Sequence, residues 1–142
     1  FYCVGAMGHA SQISAEIAFF KKNKNSRVFM IDGDGAALMH LGSIPMIGKY
    51  KNINLVHIII NNQVHESTGN HNTSNQSFSF KKMFEISGYK KSFVVKDLKS
   101  FANVIYKNKK GKIGIEVLVK PGTINSLPRQ KSPYELKKEI KF

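Results

Sequence analysis

A chain of 142 residues, 42% of them hydrophobic, suits one domain with one sizeable core and excludes wholesale disorder. Its formal charge of +13 comes from lysines scattered in short groups (Lys21-Lys22, Lys81-Lys82, Lys90-Lys91, 107–112), so a solvated basic surface is expected rather than a nucleic-acid groove with interleaved aromatics. No apolar run is long enough to span a membrane, and Phe1-Tyr2-Cys3-Val4-Gly5 has neither the basic region nor the cleavage site of a signal peptide.

The single cysteine, Cys3, can form no internal disulfide and reads as a buried strand residue. A reducing, cytoplasmic location is the expectation. The chain opens without Met in a strand-like run, as a piece of a longer polypeptide would. Ile13, Ile17 and Phe20 recur at helical spacing, which predicts an amphipathic helix over 11–22. A polar turn over 23–26 leads to a short buried strand over 27–31. That strand ends at Asp32-Gly33-Asp34-Gly35, and one helix is expected from about 38 to 49. Residues 55–60 are apolar and β-branched on both faces, as a central parallel strand should be. The polar segment 63–76 has almost nothing to bury and reads as a functional or disordered loop. A helix over 80–87, stopped by Gly88, and a strand over 92–95 follow. Asp97 then caps a helix whose apolar face is Leu98, Phe101, Ala102, Ile105 and Tyr106. Residues 113–119 form a further strand, and Ser132-Pro133-Tyr134-Glu135 reads as a capping box with Pro at the first helical position. This alternation predicts an α/β fold: a three-layer αβα sandwich with a mainly parallel sheet.

Ligands of open α/β sheets bind outside the carboxyl ends of the strands. Gly33 and Gly35 allow close backbone approach there, the following helix offers free N–H groups to a phosphate, and Asp34 offers a hard oxygen to a divalent cation. Gly-Asp-Gly alone is a common turn. The second feature is Asn61-Asn62, at the end of the next buried strand, because an amide oxygen is a good Mg²⁺ ligand that adds no charge. Residues 36–60 between the motifs make one helix and one strand, so a right-handed crossover brings Asp34 and Asn62 together. Gly-x-Gly-x-x-Gly is missing after the first strand, which disfavours a dinucleotide site.

With these motifs at this spacing, the chain resembles the thiamine diphosphate-dependent decarboxylases over nearly its whole length. The likeness is closest to the C-terminal, diphosphate-binding (PP-type) domain of the phosphonopyruvate decarboxylases, with sulfopyruvate decarboxylases as siblings. It is carried by Gly5-Ala6-Met7-Gly8-His9-Ala10-Ser11, by Ile31-Asp32-Gly33-Asp34-Gly35-Ala36-Ala37-Leu38-Met39-His40, by Asn61-Asn62 with His65-Glu66-Ser67 and Gly69, and by Leu127-Pro128-Arg129 with Pro133. The resemblance implies thiamine diphosphate and Mg²⁺ as cofactors. Asp34, the side chain of Asn62 and the carbonyl of Val64 would bind the metal. Backbone groups of Gly33, Gly35 and Ala36 would hold the diphosphate, the Gly5 carbonyl would accept from the pyrimidine amino group, and Met7 would be the apolar wedge beneath the cofactor. His9 and His65 are the candidate catalytic residues, able to donate to an anionic substrate or relay a proton. Ser67 and Thr68 share their loop, whereas His40 and His57 read as structural.

The implied reaction is loss of CO₂ from a 2-oxo acid, 3-phosphonopyruvate to phosphonoacetaldehyde before the alternatives, which are a sulfopyruvate decarboxylase subunit or an acetolactate synthase-like carboligase. A basic nucleic-acid-binding module is the alternative of another class. In the resembled enzymes a glutamate on a separate pyrimidine-binding domain activates the cofactor. No such domain is present in this sequence, and Glu16 and Glu116 read as structural. The chain is therefore expected to be inactive alone and to need that domain or subunit, in a homo-oligomer of the full enzyme. Two departures stand out. Gln63 occupies the place where the family commonly has Gly, and Asn70-His71-Asn72-Thr73 replaces the more usual Gly-Gln-Pro-Thr.

Overall fold

Four parallel strands, side by side in the order Val28–Gly33, Leu55–Asn61, Ile113–Leu118 and Lys91–Val95, organise the chain. A computed structural model describes residues 2–3, 5–21, 25–74, 77–122, 124, 126–127 and 131–139. The elements run α1 (Ala10–Phe20), β1 (Val28–Gly33), α2 (Asp34–Met39), α3 (Ser43–Gly48), β2 (Leu55–Asn61), β3 (Val64–His65), a 3₁₀ turn (Glu66–Thr68), β4 (His71–Asn72), α4 (Phe80–Ile86), β5 (Lys91–Val95), α5 (Leu98–Lys107), β6 (Ile113–Leu118) and α6 (Pro133–Glu139). No helix among the described residues is long and apolar enough to cross a membrane.

β2 is central and buried on both faces because its side chains alternate between two cores. Leu55 and Ile59 join Ala15 and Ala18 of α1, Ile44 and Ile47 of α3, and Phe80 and Phe84 of α4. Val56 and Ile58 point the other way, into a second cluster with Ile113 and Ile115 against which Phe101, Val104 and Ile105 of α5 pack. Helices thus cover both faces, giving the expected αβα layering. Each fully buried aliphatic contributes about 1.5–3 kcal/mol relative to an exposed one. The parallel register places Gly33 opposite Ile60 and Asn61 opposite Leu118, so the ends of β1, β2 and β6 share one edge.

Several expectations are corrected. The single helix over 38–49 is two short ones, broken at 40–42. Pro45 explains the break: inside a continuous helix it would lack a donor and clash with the preceding turn, whereas in the first turn of α3 it is tolerated. In α1 the expected apolar face is not the buried one. Ser11, Ala15 and Ala18 are buried, while Ile17 is 48% and Phe20 74% exposed; small side chains let the helix lie close to the sheet. β1 is likewise not buried on both faces, with Phe29 51% and Ile31 66% exposed on an outer strand. α5 packs through Phe101, Val104 and Ile105, leaving Leu98, Ala102 and Tyr106 exposed. Cys3 is half-buried and outside any strand.

The caps follow the sequence. Asp97 accepts from the Ser100 N–H at 2.8 Å, and Ser132 and Glu135 bond reciprocally, with the Ser132 N–H donating to Glu135 Oε2 at 2.9 Å. The polar segment 63–74 is organised, with β3 and β4 pairing antiparallel around the 3₁₀ turn. Residues 75–76, at its end, lie outside the described residues, as do 22–24 of the expected first helix and turn.

Candidate active site at the carboxyl edge of the sheet

Asp34 is the first residue of α2, at the very end of β1, and only 3% of it is exposed. Its Oδ2 accepts from the Thr73 hydroxyl at 2.6 Å and from the Gln63 N–H at 3.1 Å. Oδ1 makes no hydrogen bond among the described residues. The motifs at the ends of β1 and β2 are therefore joined directly, as neighbouring parallel strands require. Asn61 Oδ1 also accepts from the Gln63 N–H, at 3.1 Å, and Asn62 Oδ1 accepts from the Val64 N–H at 3.1 Å. These two side-chain-to-backbone bonds fold the chain back at the strand end.

Gln63 sits at φ 65°, the left-handed region that glycine favours. The departure from Gly thus falls at the one residue of this turn whose backbone prefers it. The Thr73 N–H donates to the Gln63 carbonyl at 3.0 Å. That bond makes the Val64–Asn72 pair a non-hydrogen-bonded one, so the Val64 carbonyl stays outside the β3–β4 ladder.

Gly33 is extended, with φ −83°, and nothing stands within 4 Å of where its β-carbon would be. Gly35 differs. A β-carbon there would lie 2.5 Å from the His65 ring and 3.4 Å from the Thr73 methyl. The space that Gly35 leaves open is filled by His65 rather than by a ligand. Gly35 and Ala36 occupy the second and third positions of α2, where helical N–H groups have no partner within the helix. α2 has six residues, so these N–H groups, rather than a long macrodipole, are what it offers an anion.

Gly5, Met7 and Ala36 line an open cleft of ≈ 600 Å³ with Asp32, Cys3 and the exposed side of β1. Gly5 and Gly8 both have positive φ. At Gly8 a β-carbon would meet the Ala36 carbonyl at 2.5 Å, which fixes the Gly5–Gly8 turn against the start of α2. Met7 is 53% exposed at the cleft. Burial pushes the Asp32 carboxyl above its ordinary value, with a smaller opposing effect of the Gly33 N–H. His9 does not line this cleft; its ring lies tilted against that of His40, at 56° with centroids 4.0 Å apart. Ser67 and Thr68 are exposed in the 3₁₀ turn. Pro128 and Arg129 lie outside the described residues.

Two residues not singled out for the site belong to it. Thr73 grips Asp34, its hydroxyl donating to Oδ2. Glu116 is 3% exposed in the middle of β6 and accepts from Asn61 Nδ2 at 2.8 Å. A carboxylate inside Ile-Gly-Ile-Glu-Val-Leu was the visible cue. Its reading as structural agrees with its three protein donors, the others being Ser79 Oγ and the Lys81 N–H.

An αβα domain with its loops at the carboxyl edge of a parallel sheet has the layout in which open α/β folds bind their ligands. The sequence matches the C-terminal TPP binding domain of the thiamine pyrophosphate enzymes over residues 2–114, and the chain belongs to that family. It is similar to a phosphonopyruvate decarboxylase of Streptomyces viridochromogenes, 29% identical over 99% of this chain and 36% of the relative. A phosphonopyruvate decarboxylase of Streptomyces hygroscopicus is 31% identical over 99% of this chain and 35% of its own length. The beta subunit of sulfopyruvate decarboxylase of Methanocaldococcus jannaschii is 44% identical over 51% of this chain and 37% of its own. The chain spans about a third of the length of these relatives.

The donors fit a diphosphate with a hard cation. No group of three His, Cys, Asp or Glu among the described residues could hold a metal. A carboxylate oxygen, an amide oxygen and a main-chain carbonyl are the kind of all-oxygen donors that Mg²⁺ takes alongside phosphate oxygens.

Proposed function

We propose that this chain holds the diphosphate and a divalent cation, Mg²⁺ first, of thiamine diphosphate in an enzyme that decarboxylates a 2-oxo acid. The observation that carries the reading is the direct bonding of Asp34 to the Asn61–Val64 turn through Oδ2, which leaves Asp34 Oδ1 without a hydrogen-bond partner among the described residues. Asp34 Oδ1, Asn62 Oδ1 and the Val64 carbonyl hold the metal. Asn62 can do so while accepting from Val64, because an amide oxygen has two lone pairs. The N–H groups of Gly35 and Ala36, reached past the open side of Gly33, hold the diphosphate. The Gly5 carbonyl accepts from the pyrimidine amino group, and Met7 supports the bent cofactor from below.

When bound, the cofactor supplies a nucleophilic carbon and an electron sink for the electrons that CO₂ leaves behind. The chain's own work is binding, orientation and proton handling. His65, over Gly35, and His9, at the end of the Gly5–Gly8 turn, donate to the anionic group of the substrate or pass it a proton.

The substrate read first is 3-phosphonopyruvate, giving phosphonoacetaldehyde, because the similarity to the Streptomyces enzymes runs the length of the chain. Sulfopyruvate is the second reading, favoured by the higher identity over half the chain. Both substrates are anionic, and the +13 charge attracts either one. A pyrimidine-binding half with the activating glutamate, on the same polypeptide or on another subunit, completes the site in an oligomer. The subunit names of the methanogen relatives support the second arrangement. The chain by itself is then inactive. The test is CO₂ release from phosphonopyruvate, sulfopyruvate and pyruvate, by this chain alone and by the assembled protein. Phosphonopyruvate should give the highest kcat/KM in the assembled protein and no turnover with the chain alone. Robust turnover by the chain alone contradicts the incomplete-site reading. Salt-dependent duplex binding without cofactor affinity would point to a nucleic-acid module instead.

A further inference from the structure

We infer that Glu116 is a positioning residue for the metal-binding turn: its carboxylate sets the orientation of the Asn61 amide, and through it the Gln63 N–H that meets Asp34. The inference rests on the reading of Asp34 and Asn62 as metal ligands.

Glu116 lies opposite Ile59 in the sheet, between Ile115 and Val117, where an apolar side chain would pack. A buried carboxylate is costly unless its lone pairs are met. Here Oε1 accepts from Asn61 Nδ2 at 2.8 Å, while Oε2 accepts from Ser79 Oγ at 3.2 Å and from the Lys81 N–H at 3.0 Å. A carboxylate only accepts, so the Asn61 amide must turn its NH₂ towards Glu116. Its Oδ1 is then forced towards the Gln63 N–H, 3.1 Å away. The same N–H reaches Asp34 Oδ2 at 3.1 Å, and Gln63 holds φ 65°. Glu116, Asn61, Gln63 and Asp34 thus form one chain of alternating acceptors and donors. It begins in the core and ends on Asp34, the carboxylate that would hold the cation.

The polarity of this chain makes the inference testable. In Glu116→Gln the side-chain oxygen stays at the Oε2 position, because the Lys81 main-chain N–H cannot turn away. The new NH₂ then faces the NH₂ of Asn61. Either the two donors meet, or Asn61 flips and opposes the Gln63 N–H. Asn61→Asp alone sets two carboxylates against each other. The double variant, Glu116→Gln with Asn61→Asp, restores a donor facing an acceptor at every link.

In the assembled protein, calorimetric titration of thiamine diphosphate with Mg²⁺ should show each single variant weakened by about tenfold or more. The double variant should bind within about threefold of wild type. Hydrogen exchange at the Gln63 amide, measured without cofactor, should be faster in Glu116→Gln and return towards wild type in the double variant. If Glu116 merely anchors α4, the single losses add and the double variant binds worst. That result, or unchanged binding and exchange in Glu116→Gln, overturns the inference. Failure of the wild-type protein to bind the cofactor overturns the proposed function instead, and Gln63 exchange still decides the role of Glu116.

Discussion

The His65 imidazole stands in the space that a β-carbon on Gly35 would fill, 2.5 Å from both Nδ1 and Cε1. Gly35 is therefore set by a histidine of the facing turn. Gly35→Ala forces His65 off the start of α2 and should lower stability by about 1–3 kcal/mol. Adding His65→Ala should recover most of that loss. Chemical denaturation of the single and double variants measures it, and a Gly35→Ala protein as stable as wild type would remove this contact from the account.

Gln63 has a left-handed backbone held by two N–H bonds and by Thr73. Gln63→Gly relieves a strain of about 1 kcal/mol but loosens the unfolded chain by a similar amount. Stability should stay within about 1 kcal/mol and cofactor affinity should hold. Gln63→Val, β-branched at positive φ, should lose about 1–3 kcal/mol and weaken cofactor binding. Equal behaviour of the two variants in denaturation and titration would contradict the assignment of strain to this residue.

Lys112 secures the opposite end of the sheet. Its ammonium donates to the carbonyls of Ile47, Gly48 and Tyr50 at 2.9, 2.7 and 3.1 Å, closing the end of α3. Burial lowers its pKa, yet the three acceptors suit the charged form. Lys112→Met removes this donor from all three carbonyls, of which Ile47 keeps the Tyr50 N–H, and should lose about 2–4 kcal/mol by denaturation. Because the site lies at the other edge of the sheet, cofactor affinity in the folded fraction should not change.

His57 gives the fold an acid-sensitive core. Its ring is fully buried, 2.8 Å from the Tyr89 hydroxyl, and burial pulls its pKa down to about 3 from 6.5. The unfolded chain takes up this proton near pH 6.5, while the folded chain resists until about pH 3. The resulting stability is complete above about pH 6.5 and drains as pH falls towards 3, at about 1.4 kcal/mol per pH unit. Replacing both partners, His57→Phe with Tyr89→Phe, should flatten that limb in denaturation curves taken from pH 7 to pH 4. An unchanged acid limb would assign it to other groups.

Much of this architecture was legible because its causes are local. The two-faced run of β2, the Asp97 cap and the Ser132–Glu135 box each follow from a few adjacent residues. The pairing of Asp34 with the Asn61-Asn62 turn was legible too, since one crossover between parallel strands fixes it. What escaped depends on packing. Periodicity marks Ile13, Ile17 and Phe20 as a face, but the close approach of α1 to the sheet selects Ser11, Ala15 and Ala18. The occupation of Gly35's open side by His65, and the reach of Thr73 to Asp34 across 39 positions, require a fold that local pattern does not encode.

The central claim is that Asp34 and its turn hold the metal–diphosphate end of the cofactor. Calorimetric titration of thiamine diphosphate into the assembled protein, with and without Mg²⁺, for wild type and Asp34→Ala, tests it most directly. Wild type should bind in a Mg²⁺-dependent way, and Asp34→Ala should lose at least about a hundredfold in affinity with its fold retained by circular dichroism. Equal affinity in the two proteins, or binding indifferent to Mg²⁺, would contradict it.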